Sequence, residues 1–150
     1  MIDLIREKLG YILGRRPLSM QVAALCRDPA NGKVLLITSR GTGRWIVPKG
    51  WPMKGLSLGQ AAMQEAWEEA GVQGTLREKE IGRYFYYKMH DRGFAIPVDV
   101  RVFEIQVSDL LDEFPESDER HREWFTPAEA AEQVAETGLK QLLLALPGKS

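Results

Sequence analysis

The chain has 150 residues, 44% hydrophobic and 27% charged, with a net charge of −1. That length and balance describe one globular domain with room for a sizeable core. Near-neutral charge excludes a broad footprint for nucleic acid or anionic membrane, so any hold on an anionic substrate must come from a local cluster or from metal. Cys26 is the single cysteine, which excludes an intrachain disulfide and fits a reducing compartment. With only His90 and His121 as imidazoles, it reads as a core residue rather than a nucleophile. No apolar run approaches the ~18 residues of a membrane span, and residues 1–9 lack a signal-peptide stretch. A cytoplasmic protein is the default expectation.

In chain order, Ile2, Ile5, Leu9 and Ile12 recur at helical spacing, which predicts a short amphipathic helix over 2–13. Gly14-Arg15-Arg16-Pro17 breaks it. Residues 1–17 thus form a leading helix and linker, and 18–150 a single domain. The apolar runs 18–27 and 33–39 flank Asp28-Pro29-Ala30-Asn31-Gly32, whose Asn-Gly predicts a hairpin. Arg40-Gly41-Thr42-Gly43-Arg44 is a loop, and Trp45-Ile46-Val47 a brief strand.

Residues 48–72 combine a Gly/Pro-rich loop, a helix and a glycine stop. Ser57 is a candidate N-cap with Gln60 completing a capping box, and Gly71 suits a left-handed helix end. Glu65, Glu68 and Glu69 share one arc of that helix, beside an apolar side of Ala62, Met63, Ala66, Trp67 and Ala70. Three carboxylates at i, i+3 and i+4 repel one another in water. A hard divalent cation turns that liability into a site, since Mg²⁺ and Mn²⁺ take oxygen ligands and share them with substrate phosphates. A bare Glu-x-x-Glu-Glu is usually a solvated acidic face. The loop before it, with Gly50, Gly55, Pro48 and Pro52, supplies carbonyls and amides at the helix N-terminus.

Downstream, 75–89 and 94–106 read as two long strands around a turn at His90-Asp91-Arg92-Gly93. Tyr84 to Tyr87 is an aromatic run, expected to alternate between core and solvent. Pro97 suggests an edge or a bulge. The acidic stretch 108–119 reads as solvated, because it would repel a polyphosphate. Arg122 to Phe125 is a last strand. Thr126, Pro127 and Glu129 then open a helix as N-cap, N1 and N3, continued through Leu139 to Leu146. This order fits a mixed sheet between helices.

The box stretch resembles that of the Nudix family, G-x5-E-x7-R-E-U-x-E-E-x-G-U with U aliphatic. Gly50, Glu65, Glu68, Glu69, Gly71 and Val72 match it. The flanks Arg44 to Pro48 and His121 to Phe125 are also similar to Nudix proteins, most of all the diphosphoinositol and diadenosine polyphosphate hydrolase branch. The resemblance implies an α/β/α sandwich with a central mixed β-sheet. It implies hydrolysis of a nucleoside diphosphate derivative or related polyphosphate, with Mg²⁺ or Mn²⁺. Glu65 and Glu69 are then the main metal ligands, Glu68 a ligand or the base, and the carbonyl of Lys49 or Gly50 a further ligand. Arg40, Arg44, Lys49 and Lys54 flank this loop and are candidates to hold substrate phosphates. The partner implied is a small-molecule polyphosphate, with no stable nucleic-acid or membrane partner; a homodimer is left open.

Two positions depart from the box: Leu56 stands for its first glutamate and Gln64 for its arginine. The first removes a carboxylate and the second an orienting charge, so slower turnover or a preference for Mn²⁺ is expected. Two other readings compete with an enzyme of this branch. One is a catalytically weakened protein that binds a nucleotide or polyphosphate. The other is an RNA 5′-end pyrophosphohydrolase, which would want a basic surface.

Overall fold

The computed structural model describes residues 19–147; the helix expected over 2–13 lies outside them. The strands are β1 (Ser19–Arg27), β2 (Val34–Thr38), β3 (Trp45–Ile46), β4 (Lys49–Gly50), β5 (Val72–Leu76), β6 (Gly82–Met89), β7 (Ala95–Leu110) and β8 (Arg122–Phe125). The helices are α1 (Leu58–Ala70), α2 (Pro127–Gln133) and α3 (Thr137–Leu144). None of these helices is long and apolar enough to cross a membrane.

All eight strands form one sheet with a backbone order of β3-β2-β1-β7-β5; β4 also pairs with β1, β6 with β7 and β8 with β2. β1 and β7 are parallel, from Ser19 opposite Val98 to Arg27 opposite Gln106, and every other pairing is antiparallel. Such a central strand is covered on both faces and reads as a continuous apolar run. In β1, Val22, Ala24 and Cys26 face α1, and Ala23 and Leu25 face α2 and α3. The expected mixed sheet between helices is therefore what the chain builds. Cys26 is fully buried, and burial raises its thiol pKa to about 12, in keeping with a packing role.

The hairpin at Asn31-Gly32 forms, with Gly32 in the left-handed region at φ 75°. Two strand expectations need correction. The run 75–89 is two strands, because β5 leaves the sheet after Leu76 and β6 enters at Gly82. The run 94–106 extends to Leu110, and this 16-residue β7 pairs β6 along Ala95–Val102 and β5 along Ile105–Leu110. Pro97 pairs with Tyr87 on one side only, since β1 begins opposite Val98, which is the edge setting its missing N–H requires. The single C-terminal helix is also two: Val134 turns extended at ψ 155° and buries its side chain, separating α2 from α3. Thr126 and Glu129 form the expected capping box.

Candidate active site

The site grows from the way α1 sits on the sheet. Ser57 Oγ accepts the Gln60 amide at 3.1 Å and Gln60 Oε1 accepts the Ser57 amide at 2.9 Å. Gly71 closes the helix at φ 67°, and a Cβ there would also meet Phe114, Leu111 and Arg122. Between the caps, Ala61, Ala62, Ala66 and Ala70 are fully buried against β1 and β5. Small side chains let the helix approach closely. That approach draws in Glu65 and Glu69, which are 9% and 7% exposed.

Two buried carboxyls need partners. The Lys49 amide donates to Glu69 Oε1 at 3.2 Å. Glu65 lies against the Gly50 backbone, where an added Cβ would fall inside the carboxyl group. Lys49 and Gly50 are themselves pinned to β1, opposite Ala23 and Val22, and Ala24 donates to Pro48 O at 2.9 Å. Glycine at 50 is thus a matter of space. Gly50→Ala is expected to displace the Glu65 carboxyl and cut turnover by roughly 10²-fold, as a misplacement of about 1 Å does. Steady-state kinetics on folded variant checks this, and wild-type turnover would remove the constraint.

The two carboxyls interact closely, and Glu69 makes Glu65 harder to ionise. Burial first, then a hydrogen bond with Glu69 and the charges of Glu69, Glu68 and Glu116, push the Glu65 pKa up to about 8. Burial also raises Glu69, opposed by Arg120, by Glu65 and by the Lys49 amide. Glu68 stands apart, its Oε1 accepting from Gln64 Nε2 at 3.0 Å. Gln64 thus retains a bond to a box glutamate without a charge.

Residues 114–120 close over this helix, which the sequence reading missed. Glu116 N–H donates to Glu68 O at 3.0 Å. Arg120, its side chain 7% exposed, reaches Glu116 Oε1 at 2.9 Å and Glu69 Oε2 at 3.6 Å, and donates to Thr38 O at 3.0 Å. The acidic stretch is therefore solvated only in part: Asp112 is fully exposed, whereas Glu116 belongs to the carboxylate cluster. A sequence signal existed in the i, i+4 spacing of Glu116 and Arg120, but nothing local ties it to a helix about fifty residues earlier.

The candidate phosphate-binding residues Arg40, Arg44 and Lys49 each have their own partners. Arg40 is engaged by Glu116 and Glu119 at 3.6 and 3.4 Å. Arg44 Nε donates to Thr42 Oγ1 at 3.1 Å, and Lys54 is exposed on the loop. Lys49 turns its side chain to the opposite side of β4 from its amide partner, 5.5 Å from the centre of the Tyr86 ring. Burial lowers its pKa, against the pull of Glu136 and Glu69.

Among the described residues no three acidic, histidine or cysteine side chains converge as a ready-made cage for a metal ion. The donor chemistry still fits an oxygen-seeking divalent cation. Mg²⁺ is usually held by one or two carboxylates with waters and phosphates, not by an all-protein cage. Two buried carboxyls that disfavour each other's charge are an arrangement that a nearby cation relieves.

Fold and site together define a class, an α/β/α sandwich with a carboxylate-bearing helix capped onto a glycine loop at the sheet. The NUDIX domain pattern matches residues 17–146, and the chain belongs to the Nudix family. It is 32% identical over 112 residues to "Nudix hydrolase 21, chloroplastic" of Arabidopsis thaliana, covering 74% of this chain and 54% of that one. It is 35% identical over 116 residues to human "Diphosphoinositol polyphosphate phosphohydrolase 3-beta", covering 73% and 65%. The chain spans about half the length of the Arabidopsis relatives it matches. Among solved structures, the E. coli ORF135 protein superposes with a TM-score of 0.63 at 20% identity, covering 85% of this chain and 87% of that one. A C. elegans Ap4A hydrolase complex does so at 0.59 and 20%, covering 85% and 92%. At that identity the likeness is one of fold.

Proposed function

We propose that the chain is a metal-dependent pyrophosphohydrolase that cleaves a phosphoanhydride bond in a nucleoside or inositol polyphosphate, of diadenosine polyphosphate or diphosphoinositol type. The observation that carries the reading is the buried Glu65–Glu69 pair held against Gly50 and backed by Arg120. Glu65 and Glu69, with a carbonyl of Lys49 or Gly50, would hold Mg²⁺ or Mn²⁺. When bound, the ion neutralises phosphate charge and lowers the pKa of the attacking water. Glu68, fixed by Gln64, serves as a ligand or as the base that takes the water's proton. Arg120 keeps Glu69 oriented and opposes the rise that burial imposes on its pKa. Lys49, Lys54 and Arg44 bear on the substrate phosphates, and Arg40 joins them by exchanging its exposed pairs with Glu116 and Glu119. The buried lone thiol of Cys26 is compatible with a reducing, cytoplasmic setting.

The test is product release from diadenosine penta- and hexaphosphate, a diphosphoinositol phosphate, ADP-ribose, an oxidised dGTP and triphosphate-ended RNA, each with Mg²⁺ and with Mn²⁺. Turnover of a member of the first two classes that Glu69→Gln abolishes supports the proposal. Tight binding without product would favour the weakened binding protein that Leu56 and Gln64 raise; activity confined to RNA would favour the 5′-end reading. In the same assay Leu56→Glu with Gln64→Arg is expected to raise turnover and shift the preference from Mn²⁺ toward Mg²⁺. An unchanged rate and metal dependence would show that the two departures are silent.

A further inference from the structure

The strand β6 is covered on one face only. Tyr84 and Tyr86 turn toward α2 and α3, and a Cβ added at Gly138 of α3 would collide with Tyr84. The odd-numbered residues turn to the face that α1 occupies over β1 and β5. Among the described residues, no β6 side chain belongs to the apolar layer beneath that helix. Phe85, Tyr87 and Met89 are accordingly 55%, 70% and 65% exposed. The register sets Pro97 of β7 directly beside Tyr87 on this face. Single exposed apolar residues need no explanation, but a continuous run of them marks a contact surface. From Phe85 to Met89 the run is about 13 Å long.

Its lower border is polar. The Arg83 guanidinium lies 5.1 Å from the centre of the Phe85 ring. Arg83 and Arg101 both donate to Asp99 Oδ2, at 3.0 and 3.1 Å, and Arg101 reaches Glu80 at 3.2 Å. Whatever covers the stripe is therefore apolar over Phe85, Tyr87 and Met89 and stops short of Arg83.

The chain itself supplies such a cover. It enters β1 at Ser19, opposite Val98, whose other neighbour in the sheet is Tyr86. That entry point is two strand spacings, about 10 Å, from β6. The five residues 14–18 reach at most about 17 Å, enough to cross that gap. Before them, Ile2, Ile5, Leu9 and Ile12 fall on one arc of the expected helix, with Asp3 and Glu7 on the other side. Twelve helical residues measure about 18 Å, which spans the stripe. A second copy of the chain fits less well, because Arg83 and Lys88 on this strand would set like charges against self-pairing.

We propose that residues 2–13 dock as an amphipathic helix across Phe85, Tyr87 and Met89, with Leu9 seated beside Tyr87. The segment then completes the outer layer on the same side of the sheet as α1. On the other face of the same strand, Tyr86 carries the Lys49 ammonium at 5.5 Å from its ring centre, so the docked helix braces the strand that borders β4.

The test uses the full chain and cysteine pairs. Cys26 is fully buried and does not compete. Leu9→Cys with Tyr87→Cys should close an intramolecular disulfide under mild oxidation. Docking raises the effective concentration of the two thiols, so this pair should close at least about tenfold faster than Leu9→Cys with Glu132→Cys. Glu132 is exposed on α2, across the sheet. Separately, Leu9→Ser and Tyr87→Ser should each lower Tm by about 2–4 °C. The double variant should fall no further than the worse single one, as residues in contact do. Equal closure of the two pairs, or additive shifts in Tm, would overturn the proposal. Covalent dimers formed by Tyr87→Cys alone would overturn it in favour of a second copy. Binding to phosphatidylserine vesicles that Leu9→Ser abolishes and Tyr87→Ser leaves intact would overturn it in favour of a membrane contact. No readout depends on turnover, so the outcome is independent of the hydrolase reading.

Discussion

Glu65→Gln will lose at least about 10²-fold in turnover, and the same protein without metal will be more stable than wild type at pH 8. The two effects have one origin. Glu65 is pressed against Gly50 and hydrogen-bonded to Glu69, and burial and like charge hold its pKa near 8, well above the ordinary 4.5. Between those values the unfolded chain has released a proton that the folded chain retains. The contribution of Glu65 to stability is therefore greatest below about pH 4.5 and is lost as pH rises toward 8, the reverse of a carboxylate stabilised in its charged form. A glutamine supplies the hydrogen-bond donor without the titration. Thermal unfolding in a chelator, from pH 5 to pH 8, should show wild type falling and the variant nearly flat. For a chain of this size each ~1 kcal/mol of the difference moves Tm by roughly 2–4 °C. Adding Mg²⁺ or Mn²⁺ should restore wild type most at pH 8 and the variant little. A wild type with no slope across this window would mean that the pair is hydrated, and the case for a cation site would weaken with it.

The second large effect concerns Arg120. Its guanidinium is almost fully buried and meets Glu116, Glu69 and the Thr38 carbonyl at once. Arg120→Met should destabilise the protein by about 3–5 kcal/mol, because it leaves carboxylates buried without a counter-charge. The loss should shrink at pH 5, toward the pH range where Glu69, its pKa raised by burial, takes up a proton, and grow toward pH 8. Urea unfolding at the two pH values measures this directly. A cost below about 1 kcal/mol at pH 8 would place Arg120 with ordinary surface ion pairs. The neighbouring Arg122 makes a control: it donates to the Ala70 and Leu111 carbonyls, so its removal should cost stability with little dependence on pH.

What was legible in the chain was local. The α1 boundaries follow from Ser57, Gln60 and Gly71, whose roles depend on residues no more than five positions away. The arc shared by Glu65, Glu68 and Glu69 follows from helical periodicity, and the β1–β2 hairpin from Asn31-Gly32. The alternation in β6 was legible as well, with Tyr84 and Tyr86 inward and Phe85 and Tyr87 exposed. What escaped was non-local. The parallel pairing of β1 with β7 joins residues about eighty apart and has no sequence mark. The sharing of β7 between β5 and β6 depends on where β5 peels away, after Leu76, and periodicity does not reveal that. Glu116 was misread because a run of acids looks solvated until Arg120 folds back onto α1. Val134 escaped for a related reason: the helical pattern continues past it, but burying its side chain turns the backbone extended.

The anchoring of β4 has a further consequence for how such a site can change. Lys49 and Gly50 are positioned by main-chain pairing to β1, and the Lys49 amide, not a side chain, meets Glu69. Immediately beyond them Trp51, Pro52, Lys54, Gly55 and Leu56 are exposed, and only Met53 in that segment packs on the core. Backbone anchoring and solvent exposure are thus separated along the chain, with paired main chain on one side and an exposed loop on the other. Substitutions or grafted residues between 51 and 56 can reshape what approaches the carboxylates while the carboxylates stay in register. Leu56, exposed in this loop, is where redesign of selectivity should begin.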